Sequence, residues 1–567
     1  MQEQKEYLRW CASPVLSQEQ RDELTALTDE AEINDRFYRT LEFGTAGLRG
    51  VMGMGLNRMN EYIIRQATDA FAQVILESGM AEKGICICYD CRINSQFFAQ
   101  EAAHVMRCRG IPVWLFAGCR PTPQLSFAVR HFDAAAGINV TASHNPKAYN
   151  GYKVYWNGGA QLPPEQAALV AEKMEHIDPL SPRIESDTPA PLTMLDESFD
   201  ELYIDAVLKC AIQPENIAAV ADDFKVVYTA FHGVGGFAVP EVLRRAGLKH
   251  LLCVPEQLKP DGTFPTVVSP NPEEPAGFAM SVELAKQHDV DFLVGTDPDS
   301  DRVGIFVRDK NGEYVPVSGN RTGVLLLHYI LTAGKEKGIL PAHPCLIKTI
   351  VTTPLAQKIA EKNGAKCFNT FTGFKYMAEK LAELEQDNFY RYVMAYEESY
   401  GYMVGDHARD KDGVVGSLLL VEMAAWYRRR GMTVLDGLEE IWKEYGVYGE
   451  VTRNVMLPGQ DGMIRMAHIM AALRENPPKE IGGIPVGAWR DYACGQRYEG
   501  DKTEPTEIAG SNVVYYELAT GETLVIRPSG TEPKIKIYAL MQADSAPEAD
   551  ARAAAAAKAA EDRILAL

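Results

Sequence analysis

Apolar positions along this chain alternate between short strand-like runs and longer stretches with helical spacing. The first set reads as strand 85–89, helix 96–107, and strands 112–116 and 136–141. The second reads as strand 225–229, a glycine turn at Gly233, Gly235 and Gly236, helix 240–246, strand 251–254, helix 276–287 and strand 292–295. The third reads as helix 321–334, strand 346–349, helices 355–362 and 375–384, and strand 392–396. Strands and helices in turn, joined by short connections, predict α/β layers. The end of the chain differs, with a hairpin over 513–518 and 523–526, a strand at 534–540 and an Ala-rich helix at 549–567. The expected fold class is α/β: three similar α/β domains with mixed, mostly parallel sheets plus a C-terminal α+β domain. The expected spans are 1–205, 206–315, 316–445 and 446–567, the first boundary lying near a Pro/Ser/Asp-rich loop at 178–191 and an amphipathic helix at 195–210. Residues 1–41 carry no usable motif and read as helical packing.

A chain of 567 residues is too long for one core, which agrees with several domains. Its net charge of −20 argues against nucleic acid or an anionic membrane as partner, since both need a basic face. A phosphorylated small molecule is not excluded, because it answers to a few local Arg, Lys and backbone N–H groups. No apolar run approaches the roughly 20 residues that span a bilayer, and the charged start is unlike a secretory signal, so a cytoplasmic protein is expected. Cys88 and Cys91 form a C-x-x-C, but no second ligand pair follows; the eleven cysteines read as reduced core thiols.

Four segments carry chemistry. Thr141-Ala142-Ser143-His144-Asn145-Pro146 puts a serine on an exposed turn, with His144 and, further on, Lys153 available to move its proton or steady a phosphate. Alone it is no more than an ordinary turn, and the absence of G-x-S-x-G gives acyl transfer no support. Asp297, Asp299 and Asp301 follow a strand at alternate positions and converge naturally on one hard cation. An EF-hand fails, because Arg302 stands where its glycine is needed and Arg308 where its glutamate is needed. Tyr396-Glu397-Glu398-Ser399-Tyr400-Gly401 offers carboxylates and a hydroxyl suited to sugar hydroxyls, or is simply an acidic turn. Arg527-Pro528-Ser529-Gly530-Thr531 has the donors of a phosphate cradle. The first three follow the last strands of the three α/β units, where open sheets bind ligands. Together they point to metal-assisted phosphoryl transfer to or from a sugar; a phosphatase with Asp297 as nucleophile would leave the Ser143 loop unexplained.

These segments, in this order from Phe43-Gly44-Thr45-Ala46-Gly47-Leu48-Arg49 to about Tyr538, resemble the α-D-phosphohexomutase family over nearly the whole chain. The resemblance implies four domains around a central cleft and a phosphoserine at Ser143. It implies Mg²⁺ held by Asp297, Asp299 and Asp301 against that phosphate, so that Ser143 counts among the metal ligands. Arg49, Lys153 and His144 are then catalytic. Glu397 and Ser399 bind sugar hydroxyls, and Arg527, Ser529, Gly530, Thr531, Lys375 and Arg302 bind substrate. The implied reaction interconverts glucose 1-phosphate and glucose 6-phosphate through glucose 1,6-bisphosphate, which also serves as activator. Small sugar phosphates are the implied partners, and a monomer or small homo-oligomer the expected assembly. The Glu-Glu-Ser core is similar to the glucose-preferring branch, whereas Tyr396, in place of a usual glycine, is expected to narrow the site or shift it toward a pentose phosphate. A mannose phosphate as substrate, or a silent sugar-phosphate-binding protein, are the remaining readings.

Overall fold

The computed structural model describes every residue except 1, 45–46, 458–460 and 530–532. Among the described residues four sheets account for the strands, and each reflects its local sequence. Ile85–Tyr89 is buried throughout, so both of its faces must be covered. Ile85 and Ile87 face the core built with helices Glu61–Glu77, Ser95–Cys108 and Pro164–Glu175. Cys86 and Cys88 face the opposite core with Leu125, Ala128 and Val129 of helix Thr122–His131. All eleven cysteines are free thiols, and those in this strand are packing residues.

In the first sheet the spatial order is Leu48–Val51, Tyr149–Trp156, Ala136–Val140, Ile85–Tyr89, Val113–Phe116, Leu192–Leu195; the last four strands pair in parallel and the first two antiparallel. The second has Tyr314–Val317 and Val303–Arg308 antiparallel beside the parallel set Phe292–Thr296, Lys225–Thr229 and His250–Cys253. The third places Lys366–Thr370, Pro344–Thr349 and Arg391–Glu397 in parallel, with Gly401–Met403 antiparallel at its edge. Three mixed α/β units are thus followed by a wholly antiparallel sheet running from Val447–Met456 through Lys534–Ala543, Thr523–Pro528 and Val514–Leu518 to Ile484–Asp491, Gln496–Glu499 and Lys502–Pro505. Helices Gly462–Glu475 and Ala546–Ala566 cover it. The alanines of the second helix allow close approach: a Cβ on Gly449 would lie 2.2 Å from the backbone of Ala549.

Units two and three share their largest core. Helix Gly413–Arg429 buries Val414, Val415 and Leu418 in one cluster with Val226, Val303 and Ile305 of the second sheet and Met394 and Tyr396 of the third. Helix Glu197–Leu208 crosses the expected boundary at 205: Phe199 packs on Phe116 and Phe127, while Tyr203, Ile204 and Val207 join the shared core. The N-terminal helices Gln2–Cys11, Gln18–Thr25 and Glu30–Phe37 bury Trp10, Leu24 and Phe37 in a satellite core.

The units meet at segment 404–412. Asp412 caps helix Gly413–Arg429 by accepting from the N–H groups of Val414 and Val415 at 2.8 and 3.0 Å. It also accepts from Tyr203 Oη at 2.9 Å and is 2.8 Å from His407 Nε2. Burial alone would push the His407 pKa down; the Asp412 hydrogen bond and the nearby Cys210 outweigh it and hold it at about 10. Since this lies above the 6.5 of an ordinary histidine, the stabilisation is whole below pH 6.5 and is lost as pH rises through about 10. Thermal midpoints should therefore fall between pH 7 and 10 more steeply in the wild type than in His407→Gln; equal slopes would remove the ion pair from this account.

Candidate active site

Strand Ala136–Val140 delivers the serine loop. Ser143 adopts a left-handed φ of 52°, and its N–H donates to Thr141 Oγ1 at 2.9 Å. Thr141 Oγ1 in turn donates to Asp90 Oδ2 at 2.6 Å. The Arg92 guanidinium donates to the carbonyls of Ser143 and Asn145 at 2.5 Å, and of Pro146 and Tyr149 at 3.0 and 3.1 Å. It also pairs with Asp90 at 3.3 Å. Five fixed contacts on one turn make a rigid mount, which a nucleophile requires. Ser143 is not on an exposed turn as its sequence suggests: it is 3% accessible, because the Asp297 loop of the next unit covers it. Ser143 Oγ lies 2.8 Å from Asp297 Oδ2 and 3.2 Å from His144 Nδ1. Burial, then Arg302 and Arg49, push the His144 pKa well below the histidine range, which favours the neutral ring.

The acidic loop follows strand Phe292–Thr296, and Asp297, Asp299 and Asp301 are all fully buried. Asp297 Oδ1 accepts from the N–H groups of Asp301 and Arg302 at 3.1 and 3.0 Å, so the loop folds around it. Asp299 Oδ2 takes Thr122 Oγ1 and Lys153 Nζ, both at 2.7 Å; Asp301 Oδ2 takes Lys153 Nζ at 2.9 Å and Lys411 Nζ at 3.1 Å. One oxygen of each, Oδ1, is buried with no hydrogen-bond partner. Burial and the two neighbouring carboxylates drive the Asp297 pKa well up. At Asp299 and Asp301 burial also opposes ionisation, and at Asp301 the Asp299 charge adds to it, yet Lys153 and its neighbours outweigh these and hold both low. Ligand oxygens of the three lie within 4.8 Å of one another. Two orphaned, inward carboxylate oxygens beside a third aspartate fit a hard divalent cation well.

The basic residues ring this centre. Arg49, on strand Leu48–Val51, is solvent-accessible and donates to Asn145 Oδ1 at 3.2 Å; desolvation by the protein crowded around its guanidinium pushes its pKa down. Arg302 pairs with Glu273 at 2.8 Å. Burial lifts Glu397 to about 7 even though Lys411 and Arg302 oppose the rise. Ser399 is half-buried at the turn into strand Gly401–Met403. Across from this turn, the field of Arg527 reaches Lys375, Lys536 and Tyr538, and Lys536 in turn feels Glu398. The Ser529 N–H donates to the Lys534 carbonyl at 2.8 Å. Gly530 and Thr531 lie outside the described residues.

Asp90, Arg92, Thr122, Lys411 and Lys536 also belong here and escape a motif-based reading. The charged run Arg409-Asp410-Lys411-Asp412 before an apolar helix was the available signal. Tyr396 corrects an expectation. It is fully buried, its ring fills the space over Gly323, where a Cβ would lie 2.1 Å from Cε2, and it stacks on Tyr402. It therefore packs in the core instead of lining a pocket beside Glu397. Its hydroxyl is buried without a partner, so Tyr396→Phe should keep the ratio of glucose to ribose phosphate turnover and raise stability by about 1 kcal/mol. A changed ratio would return Tyr396 to the substrate site.

Family models described as phosphoglucomutase/phosphomannomutase, alpha/beta/alpha domains I, II and III, match residues 40–181, 201–312 and 318–445. A phosphoglucomutase of Staphylococcus aureus strain N315 is 36% identical over 512 residues, 90% of this chain and 91% of that protein. Another, from strain bovine RF122, is 37% identical over 510 residues, covering 89% and 90%. Solved structures share the fold: a phosphoglucomutase/phosphomannomutase family protein from Burkholderia thailandensis has a TM-score of 0.66 at 18% identity, covering 94% of this chain and 97% of that one. Parafusin from Paramecium gives 0.65 at 18% identity, covering 93% and 94%. The chain is an isomerase that belongs to the α-D-phosphohexomutase family.

Proposed function

We propose that this enzyme is a phosphoglucomutase, interconverting glucose 1-phosphate and glucose 6-phosphate through a phosphoserine at Ser143 and a glucose 1,6-bisphosphate intermediate. The observation that carries this reading is Ser143 Oγ at 2.8 Å from Asp297, beside the free Oδ1 atoms of Asp299 and Asp301. Mg²⁺ bound by Asp297, Asp299 and Asp301 would neutralise charge on the phosphoryl oxygens. Lys153, fixed between two aspartates, and Arg49 add cationic stabilisation of the transferring group. Neutral His144 is placed to accept or return the proton of Ser143 Oγ. Glu397 and Ser399 accept sugar hydroxyls, while Arg527, Lys375, Ser529, Gly530 and Thr531 hold the phosphate that is not being transferred. The intermediate then turns end over end, and Ser143 recovers the other phosphoryl group. The Glu397-Glu398-Ser399 turn and the phosphoglucomutase relatives favour glucose. We place the enzyme in the cytoplasm, with sugar phosphates as its partners.

The test compares kcat/KM for glucose, mannose and ribose 1-phosphates with Mg²⁺ and a trace of glucose 1,6-bisphosphate. Glucose should lead by about tenfold or more. A lead for ribose or mannose phosphate would reassign the substrate while leaving the transfer chemistry in place.

A further inference from the structure

Outside the active site, Cys210 stands in an arrangement the mutase reaction does not use. Its Sγ lies 3.6 Å from His407 Nδ1, and the other ring nitrogen of His407 lies 2.8 Å from Asp412 Oδ2. Asp412 is itself fixed by Tyr203 and by two backbone N–H groups. Thiol, imidazole and carboxylate thus stand in the order by which nucleophilic sulfurs are activated. The Cys210 thiol also faces the Ala206 and Val404 carbonyls at 3.5 and 3.8 Å, and the His407 ring is the side chain placed to exchange its proton.

The other thiols lack this setting. Burial raises the pKa of Cys11, Cys86, Cys88, Cys91, Cys119, Cys253, Cys345 and Cys367. Cys108 does lie 3.6 Å from His104 Nε2, and Glu185 lies 3.5 Å from the same nitrogen, but these contacts and the Ile184 carbonyl at 2.8 Å crowd one side of the ring instead of spanning it, and burial and Glu185 raise this thiol too. Cys494 is exposed, yet its neighbour is the Asp491 carboxylate at 3.4 Å. Cys210 is partly accessible.

We propose that Cys210 is a modification site that exchanges with small disulfides, and that the resulting mixed disulfide slows turnover by displacing segment 404–412. The Cys210 thiolate attacks one sulfur of R–S–S–R. The reagent's S–S bond breaks, the Cys210–S–S–R bond forms, and RS⁻ leaves and takes a proton from His407 or water. A thiol reductant reverses the exchange. The added group meets a crowded wall: Sγ is 3.8 Å from the Val404 carbonyl, and a Cβ on Gly405 would lie 2.4 Å from it. The same segment carries Asp410, which accepts from Tyr155 Oη at 2.8 Å, and Lys411, which is 3.1 Å from Asp301. The effect on turnover rests on the mutase reading; the thiol chemistry does not.

The experiment treats the Mg²⁺-loaded enzyme with oxidised glutathione, maps adducts by peptide mass spectrometry over time, and follows turnover before and after dithiothreitol. Cys210 should be modified about tenfold faster than the exposed Cys494, and His407→Gln should erase that lead. Turnover should fall by about tenfold and recover on reduction, whereas Cys210→Ser should pass through the treatment unchanged. Modification of Cys494 first, or at the same rate, would overturn the site. Rapid modification of Cys210 with turnover intact would overturn the link to Lys411. If Cys210→Ser does not fold, the order of modification and the recovery of the wild type decide alone. Absence of mutase turnover in untreated enzyme would count against the functional reading and leave the mapping decisive for the site.

Discussion

Replacing Ser143 with alanine should lower glucose 1-phosphate turnover by about 10⁴-fold or more, with no rescue by added glucose 1,6-bisphosphate. The magnitude follows from the geometry. Among the described residues Thr122 Oγ1 also touches Asp299, but it is itself engaged by Asn139 at 2.6 Å. On the proposed mechanism the bisphosphate would restore phosphate to a serine that has lost it, so it would not help a chain with no acceptor at that position. The fold should survive, because the loop is held by Thr141, Asp90 and Arg92 through the backbone of Ser143 rather than its side chain. Loss of the contact to Asp297 should cost about 1 kcal/mol. Thermal unfolding and steady-state turnover measured on the same preparation separate the two effects. A folded variant with appreciable turnover would mean that another group carries the phosphoryl.

Lys153→Met should couple stability to the metal. Lys153 is buried between Asp299 and Asp301, and those two charges raise its pKa against the pull of burial. Removing it leaves two buried carboxylates poorly compensated, which should cost about 3–5 kcal/mol in EDTA. The two Oδ1 atoms that would ligate a cation are not the Oδ2 atoms that Lys153 uses. A divalent ion can therefore replace much of the lost charge. The gain in thermal midpoint on adding Mg²⁺ should be larger in the variant than in the wild type. Turnover with Mg²⁺ should still fall by about 10²–10³-fold, since the ion would not replace the cationic stabilisation proposed for the Lys153 ammonium. Equal Mg²⁺ gains in both proteins would place the ion elsewhere.

Much of this site is legible in the sequence because its chemistry is local. Asp297, Asp299 and Asp301 come from one loop, and three carboxylates at alternate positions are recognisable without the fold. Ser143 is also on one loop, but its burial is not legible, because the cover comes from a strand end some 150 residues away. Lys153 could be flagged as a nearby base, whereas its bridging of Asp299 and Asp301 depends on packing between two sheets. Arg92 and Thr122 act through backbone carbonyls and a neighbouring unit, and leave no pattern along the chain. Tyr396 shows the opposite failure. Sitting beside Glu397 in sequence, it reads as a site residue, yet strand alternation turns it into the core beneath Gly323. The shared core of units two and three was hidden for a similar reason: helix Gly413–Arg429 is apolar around most of its circumference, and periodicity alone does not say which sheet it covers.

The central claim, a phosphoryl group carried on Ser143, is tested most directly by loading the enzyme from glucose 1,6-bisphosphate with labelled phosphate, removing excess, and adding glucose 1-phosphate for a single turnover. The label should map to the peptide containing Ser143 and then pass to sugar, with little free phosphate released. Label on Asp297, or release as inorganic phosphate without transfer to sugar, would contradict the account.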